Sequence, residues 1–279
     1  MSGAPGRGRP VLVTGASTGI GHASAGWLAA EGFRVFGSVR RAEDEARLRE
    51  CDVEPVRMDV TDADSIGRAR ETVRRALDGE PLFGLVNNAG VPSGGAIEHL
   101  PLAELRRVLE VNTLGAVAVT QVFLSDLRRA RGRLVMMSSI SGRIAAPFVG
   151  SYAASKWALE AITDSLRREM WDEGVRVVLV EPGQIDTPIW DRLEEMDLAP
   201  YVGTRYEAAL RRLKRDNVAG GRSSLPPARV AEVVSRALRV RKPRARYVVL
   251  EPADRLMLAL FRRLPTAWAD RLAAARIRV

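Results

Sequence analysis

A short apolar run, Val11-Leu12-Val13-Thr14, leads straight into Gly15-Ala16-Ser17-Thr18-Gly19-Ile20-Gly21 and then into a helically spaced stretch from His22 to Glu31. Strand, glycine turn and helix in immediate succession present backbone N–H groups and a helix N-terminus to a phosphate. The spacing is G-x3-G-x-G, distinct from the commoner G-x-G-x-x-G fingerprint of dinucleotide sites.

The same alternation continues along the chain. Strands are predicted at Phe33–Val39, Val53–Asp59, Leu82–Val86, Arg133–Ser138, Val175–Val180 and Tyr247–Leu250. Between them lie helical stretches at Asp62–Leu77, Leu102–Arg129 (interrupted near Asn112-Thr113), Tyr152–Glu173 and Pro226–Val240. Such a βαβ succession implies parallel strands with right-handed crossovers. The expected fold is α/β: a single Rossmann-type, doubly wound parallel sheet of about seven strands with helices on both faces. Ligands gather beyond the carboxyl ends of such strands, where the glycine turn, Asn88, Ser139 and Pro182-Gly183 all fall. The predicted organisation is a disordered leader at 1–10, one domain at 11–253 with a substrate lid at 188–225, and an amphipathic tail at 254–279. That tail spaces Leu256, Leu260 and Leu264 helically beside Arg255, Arg262, Arg263 and Arg271. Its apolar stripe suits packing within the chain or on a partner subunit, or contact with a membrane surface.

Composition removes other classes. The net charge of +9 comes from dispersed arginines without a recognisable nucleic-acid motif, so no nucleic-acid partner is expected. Cys51 stands alone, which rules out an internal disulfide and a cysteine-held zinc and fits a cytoplasmic, reducing location. His22 and His99 lack metal-ligand spacing, so no metal is expected. No uninterrupted apolar stretch reaches the ~18 residues of a membrane span.

Among 43 basic residues only Lys156, Lys214 and Lys242 are lysine, and Lys156 follows Tyr152 by four positions. That spacing places phenol and ammonium on one helical face. An ammonium ~4 Å away favours phenolate by roughly 4 kcal/mol at an effective dielectric of about 20, or about three pK units. The phenol would then serve as an acid/base near neutrality. The plain alternative is a solvated pair on a surface helix.

Where many dinucleotide folds carry an Asp or Glu for the adenosine ribose, this chain reads Ser38-Val39-Arg40-Arg41. Guanidinium groups there suit a 2′-phosphate and favour NADP(H) over NAD(H). A solvated basic loop is the other reading.

Together, Thr14-Gly15-x3-Gly19-x-Gly21, Asn87-Asn88-Ala89-Gly90, Asn112, Ser139, Tyr152-x3-Lys156 and Pro182-Gly183 with Thr187 resemble the short-chain dehydrogenase/reductases over roughly residues 10–250. The resemblance implies that Tyr152 is the acid/base and that Lys156 lowers its pKa and holds the nicotinamide ribose. It implies that Ser139 holds the substrate oxygen, and that Asn112 holds a water linking Lys156 to solvent. The implied cofactor set is Gly15, Ser17, Thr18, Gly19, Ile20, Gly21, Ser38, Arg40, Arg41, Asp59, Val60, Asn88, Ala89, Gly90, Tyr152, Lys156, Pro182, Gly183, Ile185 and Thr187. Many NADP(H)-using relatives carry a basic residue where this chain has Thr18. The phrase Val35-Phe36-Gly37-Ser38-Val39-Arg40-Arg41 and the apolar tail look more like the hydroxysteroid and retinol dehydrogenase branch.

The expected function is NADP(H)-dependent interconversion of a secondary alcohol and a ketone on a lipophilic substrate, in a homodimer or homotetramer. The alternatives are an NAD-preferring dehydrogenase, a non-catalytic dinucleotide-binding scaffold, and an epimerase or dehydratase sharing the Tyr-x3-Lys pair.

Overall fold

Seven short, largely apolar runs lie side by side as parallel strands in the computed structural model, which describes residues 8–275. β1 (Pro10–Val13) leads to α1 (Gly19–Ala30), β2 (Arg34–Val39) to α2 (Glu45–Arg49), and β3 (Val53–Arg57) to α3 (Ala63–Leu77). β4 (Gly84–Asn87) precedes α4 (Leu102–Leu109) and α5 (Gly115–Ala130), and β5 (Arg133–Met137) precedes α6 (Gly150–Glu169). β6 (Arg176–Pro182) is followed by α7 (Ile189–Glu194), α8 (Glu207–Arg222) and α9 (Pro227–Arg239). β7 (Arg246–Val249) leads into α10 (Pro252–Phe261) and α11 (Thr266–Ala275). The strand order is β3-β2-β1-β4-β5-β6-β7, the doubly wound arrangement expected, and it reverses between β1 and β4.

Alternation along the strands sorts the core into two layers. Val11, Val13, Val35, Val135, Val178 and Val180 face α1 and α9, where Leu28, Val230, Val234 and Leu238 meet them. Leu12, Phe36, Leu85, Leu134, Met136 and Leu179 point the other way, onto Ile66 and Val73 of α3, Phe123 and Leu127 of α5, and Leu159 of α6. Both faces are covered, which is why the strands read as nearly continuous apolar runs.

Helix ends follow local chemistry. The Asp62 carboxylate accepts from the N–H groups of Asp64 and Ser65 and starts α3. Asp78, left-handed at φ 45°, ends it. The predicted break near Asn112 is a π-helical turn over Glu110–Leu114 joining α4 to α5. Such turns occur often at functional sites.

Three expectations change. Leu102–Ala130 is 29 residues long and holds an 18-residue stretch with a mean hydropathy of 1.4, so it is long and apolar enough to cross a bilayer. Length therefore does not exclude a span here, but Val119, Phe123 and Leu127 lie in the core under the sheet. The segment expected as a long lid carries helices α7 and α8. Pro10, assigned to the leader, already belongs to β1, and the Gly8 N–H donates to the Gly32 carbonyl at 2.7 Å. Residues 1–7 of the leader and 276–279 of the tail lie outside the described residues. α10, α11 and the turn between them expose Leu256, Met257, Leu260, Leu264, Trp268 and Leu272.

Candidate active site

The point of strand-order reversal is built by β1 and β4. The Thr14 hydroxyl accepts from the N–H groups of Asn88 and Ala89, both at 2.9 Å. The Asn88 amide donates back to the carbonyls of Thr14 and Gly15 at 3.0 and 3.2 Å. These four bonds fix the ends of the two strands together at the crevice mouth, with Ala89 and Gly90 beyond. Gly15 and Gly19 are left-handed, at φ 63° and 58°. A Cβ on Gly21 would lie 2.2 Å from the Gly15 carbonyl oxygen and 2.4 Å from the Asn88 amide nitrogen. The first turn of α1 carries no acidic residue, and Thr18 makes no side-chain cap. Its N–H groups, with half-buried Ser17, Thr18 and Ile20, therefore form a cradle suited to a pyrophosphate. Gly21→Ala is expected to displace this turn and weaken dinucleotide binding by more than about tenfold, read by fluorescence titration with NADPH. That loss corresponds to roughly 1.4 kcal/mol or more.

The end of β2 separates the residues assigned to the adenosine side. Ser38 is 2 % exposed and its hydroxyl accepts from the Gly15 N–H at 3.0 Å, so it supports the glycine turn from beneath. Arg41 pairs with Glu43 and Asp44. Arg40 is exposed and acts electrostatically on Asp59. Burial pushes the Asp59 carboxyl up, but the Thr61 N–H and hydroxyl, helped by Arg40, outweigh it and leave it below its ordinary value. Val60 is buried against Gly115, where a Cβ would approach to 2.8 Å.

Across the crevice, Ser139 follows β5, and Tyr152 and Lys156 sit one turn apart on α6. The Ser139 hydroxyl accepts from the Ser141 N–H at 3.1 Å and acts on the Tyr152 phenol, pulling its pKa down. Lys156 is 4 % exposed; its ammonium donates to the Met137 carbonyl at 2.9 Å and lies 5.7 Å from the centre of the Tyr152 ring. Asn112 is held in the π turn, accepting from the Val91 N–H at 2.8 Å and donating to the Val91 carbonyl and the Ser155 hydroxyl. A Cβ on Gly90 would stand 3.3 Å from the Asn112 carbonyl oxygen and 3.8 Å from Lys156 Nζ. The glycine thus keeps open the space between them.

The pair does not titrate as spacing predicts. Burial pushes the Tyr152 phenol up to about 12, against a smaller downward pull from Ser139. The same burial pushes Lys156 down to about 8, against the opposing field of Glu160. The sequence argument placed the ammonium ~4 Å from the phenol in a polarisable medium. In the fold, the ammonium instead donates to the β5 carbonyl, and desolvation dominates both groups.

Pro182, the last residue of β6, is buried, and the Gly183 N–H just beyond it donates to the Val249 carbonyl at 2.9 Å. The Ile185 carbonyl accepts from the Trp190 indole at 2.7 Å. Thr187 stands over the glycine turn, 3.2 Å from where a Gly19 Cβ would be. In the lid, Tyr201 is 2 % exposed and packs with Ala96 and Leu210 rather than opening into the crevice, while the Tyr206 hydroxyl donates to Glu98 at 2.8 Å.

Topology thus brings together the glycine turn, Asn88, Gly90, Asn112, Ser139, Tyr152, Lys156 and Thr187. Three groups were not singled out from sequence. The Met137 carbonyl gives no residue-type signal. Arg47, whose guanidinium reaches the Ser17 carbonyl at 3.5 Å, sits on a helix of five residues. Glu160 could have been found, because it repeats the four-residue step from Tyr152 to Lys156. Among the described residues no group of three His, Cys, Asp or Glu side chains is placed to hold a metal.

Residues 9–198 match the sequence profile of the family described as short chain dehydrogenase. The chain is 36% identical over 272 residues to an NADPH-dependent 3-dehydrocapnine reductase of Ornithobacterium rhinotracheale, covering 95% of each chain. It is 36% identical over 254 residues to human (Homo sapiens) retinol dehydrogenase 5, covering 85% of this chain and 79% of that one. Among solved structures, a short-chain dehydrogenase from Streptomyces avermitilis superposes with a TM-score of 0.77 at 28% identity, covering 96% of this chain and 95% of the other.

Proposed function

The chain belongs to the short-chain dehydrogenase/reductase family, an oxidoreductase acting on alcohol and carbonyl groups, and from that membership we propose an NADP(H)-dependent reductase of ketones on lipophilic molecules. The observation that carries the reading is the convergence of Ser139, Tyr152 and Lys156 at the crevice beside the glycine cradle. The bound dinucleotide supplies the hydride; the chain supplies the proton and the orientation. A phenol held near about 12 is protonated at neutral pH, so Tyr152 is a proton donor to a carbonyl oxygen. The Ser139 hydroxyl donates to the same oxygen as negative charge develops on it. Lys156, at the floor of the site, holds the ribose hydroxyls.

The preference for NADP(H) rests on Arg40, the exposed guanidinium just past β2, which forms no salt bridge within 4 Å among the described residues although its field reaches Asp59. Support also comes from the reductase of Ornithobacterium rhinotracheale, which is NADPH-dependent by name. A lipophilic substrate is supported by the likeness to a retinol dehydrogenase. The test is NADPH oxidation followed by absorbance with a panel of ketones; a panel that includes retinoid-sized carbonyls and consumes no NADPH rejects the reading. In the same assay, Arg40→Asp is expected to shift the NADPH/NADH ratio of kcat/KM toward NADH by about tenfold or more, as for loss of a charge-assisted phosphate contact. An unchanged ratio removes Arg40 from the selection.

A further inference from the structure

The turn that carries Ser139 rests on a carboxylate. The Ser138 hydroxyl donates to Glu160 Oε1 at 2.8 Å, and a Cβ on Gly142, at the far end of the turn, would lie 2.4 Å from that same oxygen. Glu160 stands four residues after Lys156 and eight after Tyr152, so one face of α6 presents phenol, ammonium and carboxylate in succession. Its other oxygen, Oε2, accepts from Arg246 of β7 at 2.6 Å. Arg246 also donates to Glu181 of β6 at 2.7 Å and to Asp164 of α6 at 2.8 Å, and Arg143, just past the turn, donates to Glu181 at 2.7 Å. Glu181 is completely buried. Charged groups buried where α6 meets β6 and the edge strand β7 are costly to desolvate.

We propose that Glu160 is a positioning residue for the reaction: it holds the Ser139 turn through Ser138 and supports the positive charge of Lys156 from one helical turn away, while Arg246 keeps it in place. This deepens the reductase reading and rests on it. The groups facing Lys156 are Tyr152 and Glu160 on its own helix and the Met137 carbonyl of β5. Those facing Glu160 are Ser138, Arg246, Glu181 and, through Arg246, Asp164. The two roles separate by substitution. Glu160→Gln keeps an oxygen for Arg246 and an amide N–H to which the Ser138 hydroxyl can serve as acceptor, but removes the charge; Glu160→Ala removes contact and charge alike.

The experiment uses the full chain, with kcat, KM for ketone and Kd for NADPH measured from pH 6 to 10. It adds ζ-nitrogen NMR titration of lysines, where only three resonances exist and Lys156→Arg identifies one. In Glu160→Gln, Lys156 is expected to titrate about one pH unit lower than in the parent, and the alkaline limb of kcat to move down with it. At pH 6 that variant should lose several-fold less kcat than Glu160→Ala, as a hydrogen-bonding group remains against the Ser139 turn. Glu160→Ala should lose kcat about tenfold at every pH with NADPH Kd nearly unchanged, as expected when a reacting group is misplaced. Ser138→Ala cuts the same contact from the other side with little loss of packing. It should reproduce that kcat loss, and the double variant Ser138→Ala/Glu160→Ala should be no worse than either single one. Lys156 titrating unchanged in Glu160→Gln overturns the electrostatic role, whether or not a ketone substrate has been found. Ser138→Ala with parental kcat overturns the positioning role. A parent chain inert toward every ketone, with the Lys156 shift present, faults the reductase reading and leaves the coupling standing.

Discussion

Tyr152→Phe should lower ketone reduction by about a thousandfold or more while NADPH affinity stays within about twofold of the parent. The expected size is that of losing a positioned general acid, ~10²–10⁴. The substitution removes one oxygen and leaves a ring of the same shape on α6, so the helix and the lysine beneath it are not disturbed. The structure adds a condition that spacing alone did not. With the phenol pushed up to about 12, ionisation of Tyr152 cannot set the pH dependence below about pH 10; the alkaline fall in turnover should follow Lys156, near about 8. Absorbance of tyrosinate at 295 nm, compared between parent and variant, checks this directly. A phenolate signal belonging to Tyr152 at pH 8 contradicts the assignment, as does a Phe variant that keeps more than a tenth of its turnover.

Arg246→Met should be strongly destabilising although it lies away from the crevice, at about 3 kcal/mol. Removing one partner of a buried ion pair typically costs ~3–5 kcal/mol, because the remaining charge is left uncompensated. The low end applies, since the Arg246 side chain keeps 28% of its surface while Glu160 and Glu181 keep 9% and 0%. Thermal unfolding should show a drop of roughly 5–10 °C. The sign of its pH dependence follows from the carboxyls. Burial already pushes the Glu160 carboxyl above its ordinary value despite Arg246 and Ser138, and loss of Arg246 raises it further. A folded-state pKa above the unfolded one gives stability at low pH that is lost as pH rises. Asp164 is the reverse case. Burial raises it, the bonds from Arg167 and Arg246 more than offset that, and it gives stability above the unfolded value that disappears on acidification. Glu160 makes the parent–variant gap widen from pH 5 toward pH 8, and Asp164 narrows it further only below its ordinary value of 3.8. A constant gap across that range would show that Arg246 acts by packing alone.

The two predictions draw on different layers of information. Tyr152 and Lys156, the glycine turn, Asn88, Asn112 and Ser139 are legible in the chain because each is a residue type fixed by local geometry. The turn needs left-handed glycines, one helix face needs a four-residue step, and strands covered on both sides need unbroken apolar runs. Strand and helix boundaries shifted by only one or a few residues for the same reason. The network of Arg246, Glu160, Glu181 and Arg143 was not legible. Its members come from β7, α6, β6 and the turn after β5, and in sequence each is an ordinary charged residue in an arginine-rich chain. Ser38 is a different case: read from sequence as a ligand, it is turned inward by the fold to hold the glycine turn.

What the sequence determined by itself was the alternation of elements, and with it the parallel sheet, the place of order reversal and the residues delivered to the crevice. These depend on periodicity and on backbone conformation, both of which act between near neighbours. What the tertiary structure decided was the electrostatic state of those residues. Whether an ammonium lowers a phenol's pKa depends on how much water each has lost and on which carbonyl or carboxylate lies closest. Those quantities exist only once distant segments have packed together.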